Sequence, residues 1–310
     1  MLDQKSLVLQ NQEQSLDQVA HEAVWLANFV SRHSKRSYQN AVRAFVAFHG
    51  LQNLEELRGI GPAHVIAWRQ ALLAEGAAHR TVNARLSAIS SLFDHLCEKQ
   101  VVRENPIKGI QRPRVNRDRV TTPIITPQQV RSILDAPDIS TLQGKRDAAF
   151  LHVLFYAGCR IIEAVNLRVR DFYEDGGYWV LDFKVKGGKQ NHLAIHQELQ
   201  IAIRSYLAEA GHGEDRGAYL FLRVRRPDSE KPLTGVQAWK IFRKYAKKAG
   251  LPEGVTPHSA RATFITQALE QGCPIDAVQR SVGHAHISTT QMYDKRGFQH
   301  RDSASFAVRY

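Results

Sequence analysis

Cysteine is scarce in this chain: Cys97, Cys159 and Cys273 are an odd number at wide spacing. No two of them stand at the interval of a metal site, and they cannot build a disulfide framework. Small apolar side chains buried in a protein of a reducing cytosol are the expectation. Long hydrophobic runs are missing too. The longest, over residues 148–159, is interrupted by His152 and is too short to span a bilayer. The opening MLDQKSLVLQNQEQ has neither an apolar h-region nor a small-residue cleavage site, so no secretory leader and no membrane insertion are expected. There is no internal repeat and no low-complexity tract. Acid is also in deficit: 30 Asp and Glu stand against 42 Lys and Arg, a net charge of +12. Charge of one sign repels itself, and such an excess points to a polyanionic partner. Nucleic acid is the first expectation, and an anionic membrane surface is the weaker alternative.

At 310 residues the chain exceeds a single core, which suggests about two domains. The first hundred residues are helical in pattern. Apolar positions at helical spacing include Val24, Leu26, Ala27 and Val30, then Ala41, Val42, Phe45 and Phe48, with Gly50 where a helix should stop. A second helix has Pro62 near its first turn and Gly76 at its end, and a third carries Val82, Leu86, Ile89, Leu92, Phe93 and Leu96 on one stripe. The pattern breaks after Asn105. Residues 1–107 are therefore expected as an all-α domain, 108–122 as a basic linker and 123–310 as a second domain of mixed α+β type.

The linker holds five basic residues and one acid between Lys108 and Thr122. Either it is a solvated connector or it lies as an extended strap across a phosphate backbone, with Arg112, Arg114 and Arg117 as contacts. Most of the positive excess lies beyond Ile107, but the helical domain has two clusters of its own. One contributes Lys35 and Arg36, the other His79, Arg80 and Arg85. At helix N-termini, backbone amides would add to their attraction for phosphate. In the second domain, Thr126 and Pro127 read as N-cap and N1 of a helix. A buried helix, a glycine break and a second helical stretch follow. YWVLDFKVKGGKQNHLAIH then alternates as strand, turn and strand around Gly187-Gly188.

The unusual residues of this domain come in four pieces: GCRIIE with Arg160 and Glu163, KVKGGK with Lys184, Lys186 and Lys189, PHSAR with His258 and Arg261, and GHAHISTTQMYDKRG with His284 and Tyr293. Singly each has a bland reading: a surface arginine paired with its neighbouring glutamate, an exposed hairpin, a residue at a helix start, an aromatic on a helix surface. KGGK is not a phosphate-cradling P-loop, because Gln190 follows Lys189 and Phe183 stands where the first glycine would be. His258, His284 and His286 have no cysteine or carboxylate at a spacing that completes a zinc site.

Together the pieces read Arg…Lys…His-x-x-Arg…His…Tyr, and over residues 126–295 the chain resembles the tyrosine recombinase (phage integrase) family, Xer-like members included. The helical domain and linker are similar in kind to that family's core-binding, SAM-like domain. The resemblance implies a mainly α fold with a small β-sheet, arranged as a two-domain clamp on DNA. It implies that Arg160 and Arg261 clamp the scissile phosphate with His258, that Lys186 is the general acid, that His284 occupies the family's His/Trp position and that Tyr293 is the nucleophile. Glu163 would orient its neighbours. No cofactor and no metal are implied.

The implied reaction is site-specific recombination through a 3′-phosphotyrosine and a Holliday junction, by a homotetramer on double-stranded DNA with paired inverted half-sites. An accessory DNA-bending or directionality protein is left open. The location would be the bacterial cytoplasm, at the nucleoid. Two alternatives share parts of the pattern: a type IB topoisomerase-like relaxing enzyme, and a non-catalytic DNA-binding regulator of the same fold. Departures from the family pattern are Ser259-Ala260 and Ala262 around the second arginine, and Cys159 before the first. The apolar residues of the tail, Ala304, Phe306, Ala307 and Val308, are expected to hold a second protomer.

Overall fold

The computed structural model describes residues 21–52, 54–115, 122–184, 190–224 and 231–294. The chain forms two compact units, Met1–Asn116 and Arg117–Tyr310.

The first unit is helical: α1 (His21–Ala27), α2 (Arg32–His49), a 3-10 turn (Leu54–Gly59), α3 (Pro62–Ala74) and α4 (His79–Glu98). The expected first apolar run is not continuous. α1 ends at Ala27, and the side chain of Ser31 accepts from the Ser34 amide to start α2. Val30 therefore falls in the break and is fully exposed, while Val24 and Phe48 also lie outside the core. α4 supplies the main stripe: Val82, Leu86, Ile89, Leu92, Phe93 and Leu96 are all buried. Trp68 of α3 meets Phe45 of α2 edge-on at 5.0 Å. Trp25 closes the cluster and spends its indole N–H on Ser91 Oγ at 3.1 Å.

The segment expected to be a connector from Lys108 onward is docked on this unit up to Val115. Asn105 is buried and donates to Asp94 at 2.8 Å, while its own oxygen receives the Ile107 amide. Arg69 donates to the Gln111 carbonyl, Asn83 to that of Pro113, and His79 Nδ1 lies 2.8 Å from that of Arg114. A backbone without internal bonds needs partners, and α3 and α4 provide them.

The second unit runs α5 (Pro127–Leu134), α6 (Leu142–Tyr156), α7 (Ile161–Val165), a 3-10 turn (Val169–Asp171), β1 (Phe172–Asp175), β2 (Tyr178–Lys184), β3 (Gln190–Ala194), α8 (Gln197–Ala210), α9 (Gly235–Lys248), α10 (Pro257–Glu270), α11 (Ile275–Val282) and α12 (Ile287–Gln291). Thr126 and Gln129 form the capping box of α5. The helix expected after the glycine break stops at Val165, and the chain turns into a strand that the alternation around Gly187-Gly188 did not reveal. The sheet thus has three antiparallel strands in the order β1-β2-β3. Gly176 and Gly177, both at positive φ, make the β1–β2 turn. Lys184 pairs with Gln190 across β2 and β3, and residues 185–189, Lys186 and Lys189 among them, lie outside the described residues. Among the described residues, no helix is long and apolar enough to cross a membrane.

α6 is the centre of the main core. Phe150, Leu151, Val153 and Leu154 are fully enclosed, by α8 among others, with Phe221 and Phe242 part of the same core. One charged pair is buried with them. The Arg146 guanidinium donates to Asp147 at 2.9 and 2.5 Å and to the Leu222 carbonyl at 3.2 Å, and Tyr245 O–H donates to the other Asp147 oxygen at 2.9 Å. A buried pair tolerates the loss of both partners far better than the loss of one. Asp147→Ala should destabilise this unit by about 3–5 kcal/mol in denaturant unfolding, and Arg146→Met with Asp147→Leu by much less. Equal losses for the two variants would mean that the pair acts by packing alone.

Candidate active site

The turn after α6 begins the site. Gly158 has φ +56, and a Cβ there would stand 2.3 Å from the Phe264 ring, so only glycine fits. The next turn puts Arg160 at the N-cap of α7. Glu163, one helical turn on, accepts the Arg160 amide at 2.7 Å on one oxygen and the Arg160 guanidinium at 2.6 Å on the other. This is a reciprocal cap that leaves much of the Arg160 side chain exposed.

Arg261 opens the second turn of α10 and is only 4% exposed. Its Nη1 donates to the Gly158 carbonyl at 2.8 Å and its Nη2 to that of Val282 at 2.7 Å. Nη1 also stands 4.0 Å from Glu163 Oε2. One carboxylate therefore serves two guanidinium groups, and the cluster keeps net positive charge. Burial, and then the nearby Arg160, pull Arg261 below its ordinary pKa, but a guanidinium stays protonated. Such a pair, one half buried and one half open, is suited to hold an anion by its paired oxygens.

His258 is exposed at the start of α10, three residues ahead of Arg261. His284 follows the left-handed cap of α11 at Gly283 (φ 64) and is tied down at both backbone atoms: its amide donates to the Gln279 carbonyl at 3.1 Å, and its carbonyl receives Gln279 Nε2 at 3.0 Å. Its Nδ1 is 2.9 Å from the hydroxyl of Thr290, which is buried. This bond fixes the orientation of the ring, and a Thr290 hydroxyl that donates to Nδ1 would leave the ring proton on Nε2. Burial first, and then the positive charges of Arg261 and Arg160, push the imidazole down to about 4. Tyr293, half-buried, stacks against this ring with centroids 6.4 Å apart. It also packs on the small cluster of Ile265, Leu269, Val278 and Val282 that joins α10 to α11.

The described structure thus assembles Arg160, Glu163, Arg261, His284 and Tyr293, and His258 stands exposed at the start of the helix that carries Arg261. Thr290 and Gln279 had no signal of their own, although the threonine pair in HISTT stood in plain view. No group of three or more His, Cys, Asp or Glu side chains that could hold a metal occurs among the described residues.

Of the basic clusters expected to meet phosphate, His79 and Arg80 fall at the start of α4, with Arg85 about two turns further on, and Lys35 and Arg36 follow the first turn of α2. Arg112 is engaged within its own unit, with Nη1 on Ser87 Oγ at 2.6 Å. Arg114 is exposed, and Arg117 lies outside the described residues.

Comparison with known proteins places this geometry in a family. Residues 123–300 match the Phage integrase family, and residues 21–100 match the Phage integrase N-terminal SAM-like domain. The chain belongs to the phage integrase family of tyrosine recombinases. It is 30% identical to the tyrosine recombinase XerC of Salmonella typhi over 86% of this chain and 85% of that protein. It is 29% identical to the tyrosine recombinase XerD of Neisseria meningitidis serogroup B over 88% of this chain and 90% of that one. Among solved structures the fold is similar to XerH site-specific recombinase bound to palindromic difH substrate in a post-cleavage complex. There the TM-score is 0.70 at 18% identity, covering 84% of this chain and 76% of that chain. A lambda integrase tetramer bound to a Holliday junction is also similar, with a TM-score of 0.68 at 18% identity, covering 90% and 76%.

The lowered His284 pKa has a consequence for stability. The unfolded histidine titrates near 6.5 and the folded one near 4, so the unfolded chain binds the extra proton between those values. The contribution of the neutral ring is whole above pH 6.5 and is lost as pH falls towards 4. Thermal melting should therefore fall across that window, and His284→Gln should flatten the fall. A variant with the wild-type pH profile would place the titration elsewhere.

Proposed function

We infer that the protein is a site-specific DNA recombinase that cuts and rejoins duplex DNA through a covalent tyrosyl intermediate. The observation that carries this reading is the pair Arg160 and Arg261 sharing the one carboxylate of Glu163, with His284 and Tyr293 packed beside them. A phosphodiester repels nucleophiles by its charge, and the transition state spreads further charge over the equatorial oxygens. Two guanidinium groups held in place beforehand stabilise that charge as it develops.

Tyr293 attacks phosphorus. The Oη–P bond forms as the P–O5′ bond breaks, giving a 3′-phosphotyrosine and a 5′-hydroxyl. His258 hydrogen-bonds the phosphate and takes the phenol proton, which a phenol of pKa about 10 does not release unaided. Lys186 gives a proton to the departing oxygen. His284, neutral and with Nε2–H free, donates to the phosphate. Attack by the 5′-hydroxyl of a partner strand reverses each step, and the phosphotyrosine conserves the energy of the broken bond. Two such rounds exchange both strand pairs through a Holliday junction.

The helical unit grips the half-site with Lys35, Arg36, Arg80, Arg85 and Arg114, and His79 stands with them. Arg112 joins this basic tract, and Arg117, outside the described residues, is a further phosphate contact of this reading. The domains of this reading are residues 1–107, a connector over 108–122 and a catalytic domain over 123–310. The docking of residues up to Val115 makes the connector act as part of the helical unit. By likeness to the recombinases solved on DNA, we propose paired inverted half-sites and a homotetramer, held in part by the tail that lies outside the described residues. The reaction belongs in the bacterial cytoplasm, at the nucleoid, and accommodates an accessory bending or directionality protein.

A nicked half-site duplex that loses its short 5′ strand on cleavage tests the reading. The wild type should give a covalent protein–DNA band on a denaturing gel. Tyr293→Phe should give none while binding the duplex within about twofold, since the hydroxyl contributes little beside the charged phosphate contacts. A band that persists in the variant would remove Tyr293 as nucleophile. Absence of a band in the wild type would favour a non-catalytic regulator.

A further inference from the structure

The last turn of a helix leaves carbonyls without an internal donor. At the end of α11 two of these are taken by side chains from other elements. Asn191 Nδ2 on β3 donates to the Ser281 carbonyl at 2.7 Å, and Arg261 Nη2 donates to the Val282 carbonyl at 2.7 Å. Since a carbonyl can only accept, the amide nitrogen of Asn191 must face it. Gly283 then reverses the chain, and His284 follows at once with both its backbone groups held by Gln279. Four consecutive residues, 281–284, therefore join the hairpin, the buried arginine and the histidine that stacks on Tyr293.

Asn191 is half-buried, opposite the buried Phe183 in register, and one residue past the Lys184–Gln190 pair that closes the hairpin. α11 packs directly on β3, and no other described side-chain hydrogen bond ties this strand to it.

We propose that Asn191 is a positioning residue that sets the base of the β2–β3 hairpin against the α11 end orienting Arg261 and His284. Proton delivery to the leaving oxygen and charge stabilisation at phosphorus are thereby held in one register. This rests on the reading of a hairpin lysine, Lys186, as the general acid. Asn191 touches no reacting atom, and its loss should be felt at the departing oxygen.

Single-turnover cleavage of two half-site duplexes tests this, one with the ordinary 5′-oxygen at the scissile bond and one with sulfur in its place. A thiolate, whose conjugate acid has a pKa of about 8.5, leaves without help from an acid. Asn191→Asp keeps the size of the side chain but removes the donor, and Asn191→Ala does so without setting a charge against the carbonyl. Both should slow cleavage of the ordinary duplex by roughly 5- to 50-fold and cleave the sulfur duplex at close to the wild-type rate. Slowing that is equal on both duplexes, or absent on both, overturns the proposal. If Asn191→Asp fails to fold by melting temperature, Asn191→Ala carries the comparison.

Lys186→Ala, run beside them, separates the two layers. If sulfur fails to restore Lys186→Ala, the acid assignment falls and this proposal with it. If sulfur restores Lys186→Ala and not the Asn191 variants, only the positioning role falls.

Discussion

The site depends on one buried cation. Arg261 carries its charge where little water reaches it, and a charge so placed must be met by dipoles and counter-charge. It is met by the carbonyls of Gly158 and Val282 and, at 4.0 Å, by Glu163. Those three partners come from the turn after α6, the end of α11 and the first turn of α7. Satisfying Arg261 therefore brings together the chain segments that carry Arg160 and His284. Tyr293 follows through the stack on His284 and the small apolar cluster between α10 and α11.

The arrangement separates stability from chemistry. The large core around α6 is built of apolar side chains and encloses the Arg146–Asp147 pair, and the candidate site residues stand at or near helix ends on its border. Helix ends suit this use, since they offer unpaired amides and carbonyls to bind or to be bound. Here the carbonyl ends are taken by Arg261 and Asn191, and the start of α7 by Glu163. The positive field of the two arginines then acts on its surroundings. It helps to keep the His284 imidazole neutral at ordinary pH, so the ring can donate one hydrogen bond without adding charge.

Much of this was legible in the sequence, and the rest was hidden for definable reasons. The α4 stripe and the Thr126 capping box obey local rules, periodicity and side-chain caps, that need no tertiary information. The spacing of Arg160, His258, Arg261, His284 and Tyr293 was legible because reactive side chains at those intervals have few bland explanations in common. The break after Ala27 was not, because Val24, Ala27 and Val30 keep a helical spacing across a turn that ends where Ser31 caps α2. β1 was masked by following a helix and a 3-10 turn directly, where the period changes without a long breaker. The docking of residues 105–115 and the Asn191–Ser281 bond depend on partners far away in the chain, which composition and period do not encode.

The central claim is that Arg160 and Arg261 act on the charge of the scissile phosphate, with Glu163 setting their geometry. Cleavage of a half-site whose scissile phosphate is replaced by an uncharged methylphosphonate tests it most directly, read as the single-turnover rate of Arg160→Ala relative to wild type. Arg160 is the better probe, because Arg261 also holds the fold together. On the ordinary duplex the variant should be slower by about 10²- to 10³-fold, as for loss of one donor to developing charge, and on the neutral duplex most of that deficit should vanish. An equal deficit on both duplexes would contradict the account, because Arg160 would then be acting on something other than phosphate charge.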